Sequence, residues 1–352
     1  MENTLTNKAI KLLKALIETP SFSKEENETA LVIEKWLVEF NIKTNRNKNN
    51  VWATNKYFDS NKPSILLNSH HDTVKPNKGY TNNPFEAKEI DGKLYGLGSN
   101  DAGGCLVSLM TLFVHYYDQD NLEYNLILAA TAEEEISGKN GIASLLEWLP
   151  PIDFAVVGEP TEMNLAIAEK GLMVIDGYAS GISGHAAHEN SENAIYNALE
   201  DINWIRTYQF PKVSDTLGKV KMNVTQINAG TQHNVVPSEC HFVIDVRVND
   251  AYQNQEVFDI IKQNTKSKVE ARSFRLNSSS ISINHPIVKA GIELGRNTYG
   301  SPTISDQALL SVPSIKLGPG KSFRSHSANE FIEISEIEEG INLYINIFNK
   351  IL

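Results

Sequence analysis

Cysteine is scarce in this sequence: Cys105 and Cys240 are the only two in 352 residues. That excludes a disulfide framework and a thiolate zinc site. Long apolar runs are missing as well, and none comes near the ~20 residues that a membrane-crossing helix needs. The N-terminal stretch has neither an extended apolar segment nor a small-residue cleavage site, so a soluble, cytoplasmic protein is expected. Positive charge is in deficit, with 32 Lys and Arg against 43 Asp and Glu and a net charge of −11. That balance argues against nucleic acid and membrane as partners. It also fits a chain that gathers carboxylates around a bound cation. Internal repeats and low-complexity linkers are absent too.

What is present reads as a globular protein with 41% hydrophobic and 21% charged residues, long enough for two domains. The chain is organised around Ser64–Val74, S-I-L-L-N-S-H-H-D-T-V. Ile65-Leu66-Leu67 has the composition of a buried strand. In extended backbone, His70 and Asp72 point one way and His71 the other. An imidazole beside a carboxylate at the mouth of a strand suits a metal ligand with its support.

Before this stretch, Leu5–Ile17 is apolar at helical spacing and Pro20-Ser21 breaks it. Ser23-Lys24-Glu25-Glu26 has the form of a capping box for a second helix through Phe40. The Asn/Lys-rich residues 41–50 read as a polar loop or turn. Apolar runs then end repeatedly in acids or histidines. Ile65–Leu67 leads to His70 and Asp72, Tyr124–Thr131 to Glu133-Glu134-Glu135, Ile152–Val157 to Glu159, and Ser314–Leu317 to His326. Asp101 follows Gly96-Leu97-Gly98-Ser99-Asn100 and precedes an apolar helix, Cys105–Tyr117. Ligands of open α/β sheets sit beyond the carboxyl ends of the strands.

The middle differs. Strands at Lys170–Ala179, Lys219–Ala229, Glu239–Val248 and Lys268–Leu276 alternate with helices at Asn193–Tyr208 and Asn254–Lys266. That order, βαββαβ, is the ferredoxin-like split pattern. Helices near Pro286–Arg296 and Ile334–Ile351 then resume the α/β character. The expectation is a discontinuous α/β domain, residues 1–167 and 279–352, with a mixed sheet between helices. Residues 168–278 form an inserted ferredoxin-like lid.

His70, Asp101, Glu135, Glu159 and His326 would suit two cations that share one carboxylate, with zinc favoured and cobalt or manganese as alternatives.

 Two such ions ~3.5–4 Å apart hold a bridging hydroxide and polarise a carbonyl. Such chemistry also needs a general base, and Glu134, next to Glu135, fits. Each residue has a plain alternative reading. Asp101 reads as a helix N-cap, Glu133–Glu135 as a solvated turn, Glu159 before Pro160 as a turn, and His326 between serines as surface. Taken together, those readings require five coincidences at strand ends.

These residues resemble a known family, the di-zinc amidohydrolases that include acetylornithine deacetylase, succinyl-diaminopimelate desuccinylase, aminoacylase and glutamate carboxypeptidase. The matching stretches are Ser69–Val74, Tyr95–Asp101, Thr131–Glu135, Val157–Thr161, Gly184–Ala187, Asn234–Pro237, Asp245–Arg247, and Gly318–Gly320 through His326 and Glu330. The resemblance implies that His70, Asp101 and Glu159 hold one metal, and that Asp101, Glu135 and His326 hold the other. It makes Asp72 the residue that orients His70, and Glu134 the base that passes a proton to the leaving nitrogen. His185 would stabilise the oxyanion. Asn234 and Arg247 would bind substrate, Arg247 through a carboxylate. Ser69 stands where the family commonly has glycine or alanine, and Lys321–Ser325 fills its loop in its own way.

The expected reaction is amide hydrolysis on a small N-acyl amino acid. Gly318–His326 with Ala168–Gly171 looks most like the acetylornithine/acetylcitrulline deacetylase branch. Succinyl-diaminopimelate desuccinylase, or a dipeptidase or carboxypeptidase of the family, is the first alternative. A non-catalytic binding module is the second, and the intact Glu134 argues against it. A free α-carboxylate on the substrate needs a cation, for which Arg247 and Arg324 are the candidates; Arg324 reads equally as a loop residue paired with a nearby acid. Exposed strand edges in the insert imply a homodimer formed through it.

Overall fold

A computed structural model describes residues 4–189 and 192–352. It divides into two compact units. The first comprises Met1–Ile167, Ser280–Tyr299 and Ser305–Leu352, and the second Ala168–Ser279 and Gly300–Ile304. Ser279 and residues 300–304, assigned to the outer domain by the sequence pattern, thus group with the second unit. No helix among the described residues is long and apolar enough to cross a membrane.

The first unit is built on a mixed sheet. Strand Asn50–Thr54 runs antiparallel to Asn125–Thr131, and beyond it come Ser64–His70, Phe154–Val157 and Ser314–Lys316, each parallel to its neighbour. Every residue of Ser64–His70 is buried, as expected of a parallel strand covered on both faces. Ile65 and Leu67 join the larger core, while Leu66 joins a smaller one with Ile127, Ala129, Ile142, Leu145 and Ala155. Helices Leu5–Ile17, Asn27–Val38, Gly104–Tyr116 and Ile334–Phe348 contribute to the larger core. From Ser64–His70 the chain moves to one side of the strand, to Asn125–Thr131, and then to the other side, to Phe154–Val157. The order therefore reverses at the strand that ends in His70, which makes its carboxyl end a topological switch point.

Two local expectations are corrected. The second helix begins at Asn27, and its N-cap Glu26 makes no side-chain cap bond. Ser23 caps nothing, because its hydroxyl donates to Asp72 Oδ2 at 2.7 Å. Glu26 is wholly buried and accepts from the backbone N–H of Lys24 and Glu133 and from the amide of Asn49. The polar stretch before the sheet is not a plain loop either. Asn45–Asn47 pairs antiparallel with Asn50–Thr54 across a tight turn at Lys48 and Asn49, with Lys48 in the left-handed region at φ 55°.

The second unit has strands Gly171–Ser180, Lys221–Ala229, Glu239–Val248 and Lys268–Ala271, and helices Ala194–Thr207 and Asn254–Asn264. Its sheet runs, in space, Lys221–Ala229, Glu239–Val248, Gly171–Ser180, Lys268–Ala271, with every pairing antiparallel. That is the ferredoxin-like arrangement. Its core holds Ile175, Phe242, Ile244, Val257 and Ile261. Each unit keeps one buried thiol: Cys105 lies in helix Gly104–Tyr116, and Cys240 lies in the second core.

Candidate metal centre and active site

The four parallel strands of the first unit deliver their carboxyl ends to one place. His70 is the last residue of its strand and is 1% exposed. Its Nδ1 lies 3.0 Å from the Asp72 carbonyl oxygen and 3.4 Å from Asp72 Oδ1. A proton on Nδ1 serves both contacts and turns Nε2 toward the carboxylates. Nε2 is buried with no hydrogen-bond partner. It lies 3.4 Å from Asp101 Oδ1, 3.8 Å from Glu159 Oε1 and 3.9 Å from Glu134 Oε2. His71 turns the other way, with Nδ1 2.9 Å from Thr29 Oγ1 and Nε2 2.9 Å from the Asn49 carbonyl oxygen. Burial lowers the His71 imidazole to about 4, which keeps it neutral.

Asp72 is a junction. Besides His70 and Ser23, its carboxylate accepts the backbone N–H of Glu134 at 3.0 Å and of Glu135 at 3.2 Å. It therefore sets both the imidazole and the turn that carries the two glutamates. That turn, Glu134–Ile136, is flanked by Glu133 and Ser137 in the left-handed region, at φ 54° and 45°. Glu135 Oε2 meets His326 Nε2 at 2.9 Å, and Asp101 Oδ2 lies 3.6 Å from the same nitrogen. Asp101 is no N-cap. It sits in an irregular turn, Ser99–Gly103, ahead of the helix.

Two groups of potential ligand atoms result: His70, Asp101 and Glu159, and Asp101, Glu135 and His326, with the atoms of each group within 4.8 Å of one another. Asp101 belongs to both. The buried, unpaired His70 Nε2 facing three carboxylates fits a divalent cation, as does the excess of carboxylate over imidazole. The electrostatics point the same way. Burial alone would lower His70, but Glu134, Asp101 and Asp72 overturn that and hold it well above its ordinary value. Glu135 beside His326 raises that imidazole to about 9. Burial pushes Glu134 well above the usual carboxylate range, against the pull of His70 and with the help of Glu159, Asp306 and Glu135.

Asp306 was not singled out from the sequence. It is 3% exposed and accepts from Thr131 Oγ1 at 2.8 Å. The Asn68 amide, turned to satisfy its neighbours, donates to it at 3.2 Å. Burial raises its carboxyl to about 6. In sequence it opens a one-turn helix after Ser305, a pattern indistinguishable from a surface turn.

The remaining candidates divide. Arg324 belongs to the first unit but faces inward. It is 5% exposed, with Nη1 2.6 Å from Glu336 Oε2 and the guanidinium 4.4 Å over the Phe331 ring. His185, Asn234 and Arg247 lie in the second unit. His185 pairs with Val235 in a two-residue ladder, and Ala186 N donates to the Asn234 carbonyl oxygen at 2.9 Å. His185 and Asn234 are therefore neighbours. His185 Nδ1 accepts from Ala187 N at 3.0 Å, which places any ring proton of neutral His185 on Nε2. Arg247 forms a fork onto Asp245, with Nε at 2.8 Å and Nη2 at 3.0 Å.

Comparison with known proteins gives the family and the fold. The profile of Peptidase family M20/M25/M40 matches residues 66–350. An acetylornithine deacetylase of Proteus mirabilis is 31% identical, with 94% of this chain and 93% of that protein aligned. A succinyl-diaminopimelate desuccinylase of Rickettsia bellii is 26% identical, over 97% of this chain and 96% of that protein. Among solved structures, aminopeptidase PepT of Bacillus cereus superposes with a TM-score of 0.81 at 17% identity, covering 98% of each chain. A dinuclear metal-binding peptidase of Bacillus subtilis superposes with a TM-score of 0.74 at 18% identity, covering 98% of this chain and 97% of that one.

Proposed function

The chain belongs to peptidase family M20/M25/M40, and from that premise we propose that it removes the acyl group from a small N-acyl amino acid. N-acetylornithine or N-acetylcitrulline is the substrate we favour, which would release the amino acid for arginine synthesis. The acetylornithine deacetylase relative supports this choice. The desuccinylase relative supports a second reading, in which the acyl group is succinyl.

Two divalent ions, zinc or else cobalt, suit the donor set of two imidazoles and three carboxylates. His70, Asp101 and Glu159 would hold one, and Asp101, Glu135 and His326 the other. When bound, such ions polarise a carbonyl and lower the pKa of water. Asp72 fixes the His70 ring and the Glu134–Glu135 turn together, so one carboxylate aligns ligand and base. Glu134 takes the proton from the attacking water at a carboxylate oxygen and returns it to the leaving nitrogen. His185, with its Nδ1 already accepting a backbone N–H, donates from Nε2 to the developing oxyanion. Asn234 offers its side-chain amide to the substrate. Arg247 receives the α-carboxylate in exchange for Asp245. We assign Arg324, paired with Glu336, to holding the loop before His326. The exposed edge strand Lys221–Ala229 supports a homodimer through residues 168–278.

The observation that carries this reading is Asp101 shared between two ligand groups with Glu134 beside them. The test is amine release from a panel of N-acetyl and N-succinyl amino acids, with zinc and with cobalt. Release from N-acetylornithine or N-acetylcitrulline above the rest is the expected result. Preference for succinyl substrates would move the assignment to the second reading. No release from any member, with metal bound, would overturn the deacylase reading and leave a dipeptidase or carboxypeptidase of the family, or a binding module.

A further inference from the structure

Glu330 lies four residues after His326 and is 1% exposed. Its Oε1 accepts the backbone N–H of Asn100 and of Asp101, each at 2.9 Å, and its Oε2 accepts that of Gly98 at 3.2 Å. The turn it grips is otherwise held by Asn100, whose side-chain amide exchanges hydrogen bonds with the Lys321 backbone, and by Gly103 N donating to the Gly98 carbonyl oxygen, but the N–H groups of Gly98, Asn100 and Asp101 go to Glu330. Gly98 has φ 75°, and Asp101 and Ala102 depart from helical geometry. Without the carboxylate, three donors in a closed interior would lose their acceptor, which is costly for buried N–H groups. The same short segment is tied elsewhere. Asn329 Oδ1 accepts from the backbone N–H of Thr81 and Asn82, and Asn77 Nδ2 donates to the His326 carbonyl oxygen, all at 3.0 Å.

The candidate ligands therefore rest on two kinds of support. His70 ends a parallel strand, and Glu135 and Glu159 stand just past two others. Asp101 and His326 stand on irregular loops that Glu330 joins. We propose that Glu330 is a positioning residue that holds Asp101 and His326 in register and so sets the cation affinity of the Asp101–Glu135–His326 group. That group has two loop-borne ligands and the His70–Asp101–Glu159 group has one, so slack at Glu330 is felt twice in the first and once in the second. The proposal rests on the two-cation reading above.

The test is titration of metal-free full-length protein with Zn²⁺, and separately with Co²⁺, followed by calorimetry and by cobalt absorption. Wild type is compared with Glu330→Gln, Glu330→Ala and Asp201→Asn. Asp201 is a control in the second unit, where it likewise clamps backbone, accepting from Lys266 N and Ser267 N. Wild type should bind two ions. Both Glu330 variants should bind one step roughly 10–100-fold more weakly, as for loss of a ligand's supporting group, with the other step moving less. Alanine should exceed glutamine, which retains an oxygen acceptor. Asp201→Asn should lower the melting temperature and leave both steps alone. If alanine does not fold, the near-isosteric glutamine decides. Two unaltered steps in the Glu330 variants, or two steps weakened equally, would overturn this proposal alone. One ion or none in the wild type would instead overturn the two-cation reading, and this proposal with it.

Discussion

In the first unit, His70, Glu135 and Glu159 stand where parallel strands stop, and Asp72 alone ties together the His70 ring, Ser23 and the Glu134–Glu135 turn. In the second unit, His185 is exposed on a two-residue ladder with Asn234 exposed just before its partner strand, and Arg247 is half-buried on an antiparallel strand with one acidic partner. The first arrangement suits groups whose mutual distances must not change, because burial and shared hydrogen bonds lock each rotamer. The second suits groups that exchange one partner for another. Asp245 holds the Arg247 fork in the geometry that a substrate carboxylate would take.

Substitutions can break or sharpen that contrast. The largest effect is expected at Asp101→Ala. Asp101 is shared by both ligand groups, so bound metal should fall below two ions per chain and turnover to background. Elemental analysis beside a rate assay checks this, and full metal content would refute the shared role. Next comes Glu134→Gln, which should keep the metal while losing about 10²–10⁴-fold in kcat. Near-full turnover would remove Glu134 as the base.

The two arginines should then part company. Arg247→Ala should lower kcat/KM by about 10²-fold, with a raised KM, as for a lost charge-assisted bond. It should have much less effect on substrates whose α-carboxylate is amidated. Arg324→Met should do the reverse. Removing a buried guanidinium leaves Glu336 without its cation, held only by the Glu333 backbone N–H, at a cost of about 3 kcal/mol in denaturant unfolding, with KM unchanged. A raised KM in the folded Arg324 variant would return Arg324 to the substrate.

The smallest effect belongs to Asp176, on the second unit's sheet. Arg272, aided by His241, holds its carboxyl at about 2, below the ordinary 3.8. A folded pKa below the unfolded one means stability that is present above pH 3.8 and lost as pH falls towards 2. Asp176→Asn should therefore cost up to about 1 kcal/mol at neutral pH. The difference from wild type should close between pH 4 and pH 2. A difference that persists at pH 2 would assign the cost to packing.

The sequence carried the fold where periodicity is strong. Buried runs such as Ile65–Leu67 and the alternation in Glu239–Val248 follow from side-chain period alone. The pattern failed where a side chain has a distant use. Ser23 looks like a helix cap but spends its hydroxyl on Asp72, 49 residues away. The hairpin at Asn45–Thr54 is so rich in asparagine that nothing apolar marks its first strand. Site residues that end strands were legible because their type and place coincide. Asp306 was not, and Glu330 entered only through a resemblance, without a role. Their neighbours, Thr131 and the Gly98–Asp101 turn, lie some 175 and 229 or more residues away in the chain.

The scarcity of cysteine has a practical side. Cys105 Sγ donates to the Pro319 carbonyl oxygen at 3.2 Å, beside Gly318 in the first unit, while Cys240 lies in the core of the second. Burial pushes both thiols up, so neither reacts in place. A thiol reagent reaches either one only when its surroundings open. At low reagent, each labelling rate reads an opening equilibrium, and at saturating reagent it reads an opening rate. Peptide mapping after labelling separates the two sulfurs, so one unmodified chain reports the breathing of its two halves independently and without an introduced probe.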